Sequence, residues 1–437
     1  MSQFAKPEAP RFSVDVYQNE FLPEGGREVN AIVTVTSTGG GTSGASAPDT
    51  AVVIMVDCSG SMDYPPTKMR NARQATAAAI DVLRDGVSFA VVAGTHQAKE
   101  VYPGAGRLAV ADAATRAQAK EALRRIGPGG GTAIGTWLRL ADRLLATTGA
   151  SIRHGVLLTD GRNEHEEPDA LRATLEACTG RFTCDARGVG TDWEVKEVTG
   201  IASALLGSAD IVADPSGLAA DFTGMMENAM GKELADVSLR LWTPQGAEVA
   251  FVKQVAPNVR DLTDRRIEAG PRAADYPTGS WGDESRDYHV CVRVPDAGVG
   301  HEMLAARASL VRPAPGGPAP EVLAQGLVRA VWTDDLAAST TINPQVAHYT
   351  GQAELAQAIQ QGLELRKSGD LDGATAKLGR AVQLANRSGN EDTAKLLAKV
   401  VDVVDAVNGT VRLKAKVSAE AEKTLETRST RTVRVKK

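Results

Sequence analysis

The chain has 437 residues, of which 43% are apolar and 24% are charged, a composition typical of globular domains rather than disordered or fibrous segments. Its 49 basic and 54 acidic residues give a net charge of −5, so we expect no nucleic-acid partner. Four cysteines cannot form a disulfide framework, and the apolar run Ala51–Val56 is far too short to cross a membrane. The first residues also lack the apolar segment of a secretory signal, so we expect a cytoplasmic protein without a membrane span.

The first predicted elements are two β-strands within residues 10–37. Apolar and polar residues alternate in FSVDVYQNEF and REVNAIVTVTS, and proline and glycine between them indicate a turn. Two strands do not form a stable sheet by themselves, so we predict that they belong to a β-sandwich whose other strands lie further along the chain. Residues 38–49 are rich in glycine, serine and threonine and are typical of a linker.

Between residues 49 and 231, short apolar runs alternate with longer helical patterns. The apolar runs occur at 51–57, 87–94, 154–160, 184–190 and 209–213, and the helical patterns at 68–84, 115–126, 134–147, 168–178, 194–205 and 216–230. Strands buried on both faces that alternate with helices indicate a doubly wound and mostly parallel sheet. Such sheets carry their ligand sites in the loops at the carboxyl ends of the strands.

Residues 233–338 return to strand patterns separated by turns, such as VSLRLWTP and RDYHVCVRVP. This pattern predicts an antiparallel β-sandwich. We therefore predict a multi-domain α/β + β + α chain, in which the α/β domain is inserted in the sandwich and a small helical domain follows.

The predicted helical domain occupies residues 350–408 and contains three helices. The breaks between them fall at Gly369-Asp370 and at Ser388-Gly389-Asn390, and the third apolar set extends to Val407. The first hairpin resembles one tetratricopeptide unit, but a free-standing solenoid needs about three repeats. A small helical domain that caps the sandwich is the simpler interpretation.

Residues 411–437 contain nine Lys and Arg but three Asp and Glu, and we predict a basic, flexible tail. Three interpretations of this tail remain open. It is a frayed terminus, a basic arm for anions, or a tail that is phosphorylated at Thr427, Thr430 or Thr432 and then recognised by another domain.

The candidate chemistry begins where the first strand of the α/β domain ends, in Asp57-Cys58-Ser59-Gly60-Ser61. Two further strand-end loops supply the hydroxyl of Thr132 and the carboxylate of Asp160. Carboxylate and hydroxyl oxygens in tight loops suit Mg²⁺, and Mn²⁺ or Ca²⁺ could take its place. The loops converge at one edge of a doubly wound sheet, so these side chains predict one divalent metal site.

Three segments, VVIMVDCSGSM, GPGGGTAIG and VLLTDGRN, resemble the metal-ion-dependent adhesion site (MIDAS) of von Willebrand factor A (VWA) domains. The matching positions occur in the family's order and are Asp57, Ser59, Ser61, Thr132 and Asp160. The resemblance implies a Rossmann-like fold with a divalent cation at the top of the sheet. In this family, an acidic group of a partner protein often completes the coordination shell of the cation. The flanking regions are similar to bacterial, particularly actinobacterial, cytoplasmic VWA proteins, some of which accompany kinases, phosphatases or tellurite-resistance systems.

These observations predict a scaffold that binds a partner protein through the metal and has no catalysis of its own. The alternative is a metal-dependent phosphoester hydrolase. Haloacid-dehalogenase-like phosphatases need a second aspartate two residues after the first, and Ser59 stands there. The chain also lacks the G-x-x-x-x-G-K-[ST] loop of P-loop nucleotidases and the G-x-S-x-G turn of hydrolases. A third possibility is a structural scaffold whose metal site stays empty.

Overall fold

The computed structural model describes residues 11–38, 49–212, 214–314 and 319–435, which form two compact units. The first unit lies within Gly41–Ala235, and the second consists of the flanking segments within Glu8–Gly40 and Asp236–Lys437. Apart from its two end residues, the predicted linker at 38–49 lies outside the described residues. The N-terminal segment of the second unit supplies the strands β1 (Arg11–Gln18), β2 (Phe21–Leu22) and β3 (Glu28–Thr38).

The first unit is a seven-stranded sheet covered by helices. Its strands are β4 (Thr50–Asp57), β5 (Ser88–Gly94), β6 (Ala98–Tyr102), β7 (Ala109–Val110), β8 (Ile152–Thr159), β9 (Thr183–Val189) and β10 (Leu206–Val212). Its helices are α1 (Thr67–Asp81), α2 (Ala113–Leu123), α3 (Ile134–Ala146), α4 (Pro168–Cys178), α5 (Val195–Ala204) and α6 (Leu218–Met230). Short 3₁₀ helices at Gly60–Asp63 and Pro215–Gly217 complete it.

The strand order is β10-β9-β8-β4-β5-β6, with β7 also paired to β5. Strands β4, β5, β8, β9 and β10 run parallel, whereas β6 and β7 pair antiparallel to β5. The predicted α/β fold is therefore confirmed, with two antiparallel strands that the sequence patterns did not indicate. Strands β6 and β7 are short and only partly buried, so they lack the continuous apolar run that marked the others.

Strand β4 lies at the centre of this unit, and all eight of its residues are buried. Successive side chains of a strand point to opposite faces of the sheet. Accordingly Val52, Ile54 and Val56 pack in one core with residues of α1 and α6. The intervening residues, among them Val53 and Met55, pack in a second core with residues of α3 and α5. The two cores hold the carboxyl end of β4 in a defined place.

The second unit contains two further sheets. Its C-terminal segment forms β11 (Leu234–Trp242), β12 (Glu248–Ala256), β13 (Arg260–Asp261), β14 (Ile267–Glu268), β15 (Ala273–Trp281), β16 (Glu284–Arg293), β17 (Glu302–Arg312) and β18 (Glu321–Trp332), with a 3₁₀ helix at Thr263–Arg265. One sheet has the order β1-β3-β16-β12-β13, and the other has the order β14-β15-β11-β17-β18-β2.

The N-terminal strands take part in both of these sheets. Strand β3 lies between β1 and β16 and pairs with β16 along Glu28–Ser37. Strand β2 pairs with the end of β18. The side chains of Val14 and Val16 in β1 also lie so close to Gly326 of β18 that a Cβ there would come within 2.9 Å of both. Residues 11–38 are therefore integral to the second unit.

Helices follow the strands, as predicted for this region. They are α7 (Leu336–Thr340), α8 (Pro344–Ser368), α9 (Leu371–Ser388) and α10 (Glu391–Val400), followed by β19 (Val401–Asp405), β20 (Thr410–Leu413) and α11 (Ala419–Arg428). Helices α8 and α9 end at Gly369 and Gly389, both left-handed, because glycine adopts a positive φ without strain. Asp370 and Asn390 then cap the next helices by accepting hydrogen bonds from the backbone amides of Gly373 and Thr393.

The structure corrects the extent of the third predicted helix. It ends at Val400, and Val401–Asp405 forms a hairpin with Thr410–Leu413 instead of continuing to Val407. β-Branched residues favour strands. The turn is closed by Asp405, whose carboxylate accepts hydrogen bonds from the amides of Val407 and Asn408.

The prediction of a flexible tail at 411–437 is wrong for its described residues. Strand β20 and helix α11 occupy much of it, and Leu425 is fully buried in the core that α8, α9 and α10 share. Thr427 is 5% exposed, and its hydroxyl donates to the carbonyl of Lys423. The backbone carbonyl of Thr430 accepts from Val259, and the hydroxyl of Thr432 donates to the carbonyl of Val255 at 2.7 Å.

The charge count did not indicate this packing, because α11 is anchored by four buried residues, of which only Ala421 and Leu425 are apolar. The hydroxyl of Thr427 is therefore not accessible to a kinase in this conformation. None of the helices among the residues described here is both long and apolar enough to cross a membrane.

We expect Val33→Asp to unfold the second unit alone. Val33 is fully buried in β3, so the substitution places an unpaired carboxylate in the core at a cost of about 3 kcal/mol or more. Hydrogen–deuterium exchange should show loss of protection in β3, β12 and β16 but retained protection in β4 and β8. Val299→Asp, at a position 41% exposed, is the matched control. Equal loss in β4 and β8 would contradict the division into two units.

We also expect the second unit to lose stability between pH 6.5 and pH 4. Burial, with a contribution from Lys253, lowers the pKa of His289 from 6.5 to about 4, and its Nε2 lies 2.9 Å from Oδ1 of Asn30. The unfolded chain binds this proton at a higher pH than the folded chain. The stability from neutral His289 is therefore complete above pH 6.5 and decreases by up to about 3 kcal/mol as the pH falls to 4.

Urea unfolding of the wild type and of His289→Gln at several pH values measures this effect. The variant cannot titrate in this range, so its unfolding free energy should depend less on pH. Parallel pH profiles for the two proteins would refute the assignment to His289.

Candidate metal centre

The five residues singled out in the sequence meet at the carboxyl edge of the parallel sheet. Strands β4 and β8 are neighbours, with Val56 opposite Leu158, so Asp57 and Asp160 follow adjacent strand ends. Thr132 lies in the loop that leads into α3. Backbone hydrogen bonds hold this loop on the β4 loop, from Gly60 to the carbonyl of Gly130 at 2.9 Å and from Gly129 to that of Cys58 at 2.8 Å.

The side-chain oxygens form one connected group. The hydroxyls of Ser59 and Ser61 lie 2.9 Å apart, and that of Ser61 donates to Oδ1 of Asp160 at 2.6 Å. A Cβ placed on Gly161 would lie 3.2 Å from the Ser61 hydroxyl, 3.4 Å from that of Thr132 and 3.9 Å from that of Ser59. The three hydroxyls therefore converge on the space beside Gly161, which only a residue without a side chain leaves open.

Asp57 is fully buried beneath these hydroxyls. Its Oδ1 accepts from the amide of Ser59 at 2.8 Å, and its Oδ2 accepts from the hydroxyl of Thr159 at 2.7 Å. Burial raises the pKa of Asp57 to about 6 despite these hydrogen bonds, and the negative charge of Asp160 adds to the increase. Two neighbouring buried carboxylates are electrostatically costly, and a cation beside them removes that cost.

Lys68, in the first turn of α1, supplies one such cation. Its Nζ lies 2.7 Å from Oδ2 of Asp160 and 3.4 Å from both the carbonyl of Ser61 and Oδ2 of Asp192. Burial alone would lower the pKa of Lys68, but Asp160 and Asp192 raise it overall. None of the sequence motifs includes this residue. The helix dipole disfavours a lysine in the first turn of a helix. The position of Lys68 at the start of α1 was therefore the sequence feature that could have indicated a role for it.

A second set of side chains positions Thr132 by capping α3 from a different loop. Asn163 accepts from the amide of Ile134 at 2.7 Å, and Glu166 accepts from that of Gly135 at 2.7 Å. The amide of His165 donates to the carbonyl of Thr132 at 3.0 Å. Sequence analysis could not assign these caps, because the capping residues lie about 30 positions from the helix start that they satisfy.

The hydroxyls open into a cavity of about 360 Å³. Its remaining wall includes the charged residues Arg162, Glu164 and Asp192, together with His165 and Thr191. A side chain from another molecule can therefore approach the oxygen cluster from solvent. Cys58 does not face this space, because its thiol packs in the apolar core between the sheet and α1, and burial raises its pKa to about 12.

The donor set suits a hard divalent cation. It consists of carboxylate and hydroxyl oxygens, the ligands of Mg²⁺, Mn²⁺ and Ca²⁺, without a sulfur or imidazole ligand in the cluster. Over the part of the chain that the structure describes, no group of three or more His, Cys, Asp and Glu side chains could hold a metal. The cluster differs from such groups in relying on hydroxyls for most of its donors.

Sequence and structure comparisons place the chain among known proteins. Residues 50–211 match the model of the von Willebrand factor type A domain, and residues 383–429 match that of the von Willebrand factor type A C-terminal domain. No curated protein matches the chain.

The solved structures that resemble this chain over nearly its whole length include the following two. A von Willebrand factor type A protein from Catenulispora acidiphila is 50% identical, with a TM-score of 0.93 over 100% of this chain and 99% of the other. An ArnB paralogue from Sulfolobus acidocaldarius is 14% identical, with a TM-score of 0.58 over 97% and 100%, which shows a shared fold. From the two matched domains and the full-length similarity to the Catenulispora protein, we conclude that this chain belongs to the von Willebrand factor type A family.

Proposed function

We propose that this protein binds a divalent cation through Asp57, Ser59, Ser61, Thr132 and Asp160 and uses it to hold an acidic side chain of a partner protein. The observation that carries the proposal is the convergence of three hydroxyls beside Gly161, with the buried carboxylates of Asp57 and Asp160 hydrogen-bonded to the same loop. VWA domains typically mediate protein interactions and bind divalent metals, and they are generally not enzymes. We expect Mg²⁺ as the ion, with Mn²⁺ or Ca²⁺ as substitutes.

The residues differ in what they contribute to such a site. The hydroxyls of Ser59, Ser61 and Thr132 face the cavity and are neutral ligands. Asp57 is deeper, with hydrogen-bond donors on both oxygens, so it serves mainly as a buried negative charge. A cation held largely by neutral oxygens keeps much of its positive charge and binds an added carboxylate strongly. The open cavity gives the partner's carboxylate a path to it.

We further propose that the partner belongs to a cytoplasmic assembly, with kinases, phosphatases or stress-resistance proteins as the first candidates. In this scaffold we assign residues 49–231 to the VWA domain. The two sheets built from residues 10–37 and 233–338 would form a β-sandwich into which that domain is inserted. The pairing of β3 with β16, and the closeness of β1 to β18, support this arrangement.

We expect Asp160→Asn to weaken metal binding strongly. The substitution removes one of two buried negative charges and keeps the side-chain volume, so Mn²⁺ affinity should fall at least about 100-fold, or roughly 3 kcal/mol. Electron paramagnetic resonance of free Mn²⁺ measures the affinity directly. Asp63→Asn, an exposed aspartate two residues after Ser61, is the matched control and should bind as the wild type does. Equal affinity in Asp160→Asn would contradict the assigned ligand set.

We expect a partner protein to be retained only when both the metal and the site are present. The wild type and Asp160→Asn are immobilised, incubated with native lysate in Mg²⁺ or in EDTA, and the bound proteins are identified by mass spectrometry. A protein held by the wild type in Mg²⁺, and lost in the other three conditions, supports metal-bridged binding. Identical protein sets in all four conditions would refute it. Hydrolysis of p-nitrophenyl phosphate that required Asp57 would instead favour the hydrolase.

A further inference from the structure

The ammonium group of Lys68 occupies the oxygen cluster rather than solvent. Its side chain is 11% exposed, and its Nζ is 2.7 Å from Oδ2 of Asp160, a carboxylate with no exposure at all. The other oxygen of Asp160 accepts from Ser61. Both oxygens of this carboxylate are therefore engaged, one by a neutral hydroxyl and one by a full positive charge.

We propose that Lys68 is a tethered cation that competes with the divalent metal for Asp160 and makes tight metal binding depend on an acidic partner. This inference rests on the proposed function. Two cations cannot share one buried carboxylate without strong mutual repulsion, because the low dielectric around it screens charges poorly. Lys68 therefore lowers the affinity of the site for the metal alone.

The charge balance of the cluster links the metal to the partner. Asp57 and Asp160 carry two negative charges, and Lys68 neutralises one of them before metal binds. When a divalent cation is added, the cluster with Lys68 has one excess positive charge, whereas without Lys68 it would be neutral. A carboxylate from the partner restores neutrality. Because coupling between two ligands is reciprocal, the partner raises the affinity for the metal by the same factor as the metal raises the affinity for the partner.

Asp192 is a second ion-pair partner for Lys68. Its Oδ2 is already 3.4 Å from Nζ, its side chain is 68% exposed, and it lines the same cavity. A small rotation of the lysine side chain exchanges Asp160 for Asp192 without leaving the ammonium unpaired. Because Asp192 is largely exposed, water screens its charge, so it keeps the ammonium paired without cancelling the excess positive charge of the buried cluster.

Binding of Mn²⁺ alone to Lys68 variants tests the competition. Lys68→Met keeps the length of the side chain and removes its charge, so the Mn²⁺ affinity should rise about tenfold or more. Lys68→Arg keeps the charge and should bind Mn²⁺ nearly as the wild type does. Lys120→Met is the matched control, because Lys120 pairs with Asp81 on the exposed surface of α1 and α2. Electron paramagnetic resonance gives the affinities, and circular dichroism verifies that each variant is folded.

The outcomes separate this inference from the proposed function. Equal Mn²⁺ affinity in the wild type and Lys68→Met, together with loss of binding in Asp160→Asn, would overturn the role of Lys68 and leave the metal site in place. Absence of Mn²⁺ binding in both the wild type and Lys68→Met would overturn both proposals. Mn²⁺ binding by Lys68→Met but not by the wild type would support the proposal and would show that Lys68 prevents binding of the metal alone.

Acetate, a simple carboxylate, tests the dependence on an acidic partner. It should tighten Mn²⁺ binding more in the wild type than in Lys68→Met, because the wild-type cluster alone has an uncompensated positive charge after metal binding. A titration of acetate into Mn²⁺ without protein measures any direct effect of acetate on the free ion. An equal effect of acetate in wild type and Lys68→Met would overturn the coupling.

Discussion

Two fully buried carboxylates, Asp57 and Asp160, lie side by side at the ends of paired parallel strands, and the organisation of the site follows from them. Water solvates a carboxylate far better than a protein interior does, so each must be compensated by nearby donors or cations. The amide of Ser59, the hydroxyls of Thr159 and Ser61, and the ammonium of Lys68 provide that compensation. These groups do not fully offset the burial, so the pKa of Asp57 stays raised.

The loops around these carboxylates hold each other in place. The β4 loop and the loop before α3 exchange backbone hydrogen bonds, and the loop after β8 caps the start of α3 through Asn163 and Glu166. The caps satisfy helix amides that would otherwise be unpaired, and they set the position of Thr132. The three loops that carry the five candidate ligands are therefore connected to one another by hydrogen bonds.

The second unit depends on a comparable constraint of its own. Strand β3, from the N-terminal segment, lies between β1 and β16. The sheet is therefore incomplete until residues that precede the first unit in the sequence pair with residues that follow it. Its C-terminal helices are tied to this sheet by buried polar contacts. Asp287 of β16 accepts from Thr34 of β3 and from Tyr349 of α8, which joins three elements through one carboxylate.

The sequence by itself determined the α/β fold and the identity of the candidate ligands, because both depend on local pattern. Apolar runs buried on both faces specify parallel strands, and loops at the ends of such strands must meet at one edge. The hairpin after Val400, the docking of α11, the caps of α3 and the position of Lys68 on Asp160 were decided only by the tertiary structure. Each of these depends on groups distant in sequence whose burial and charge act only after the chain has folded.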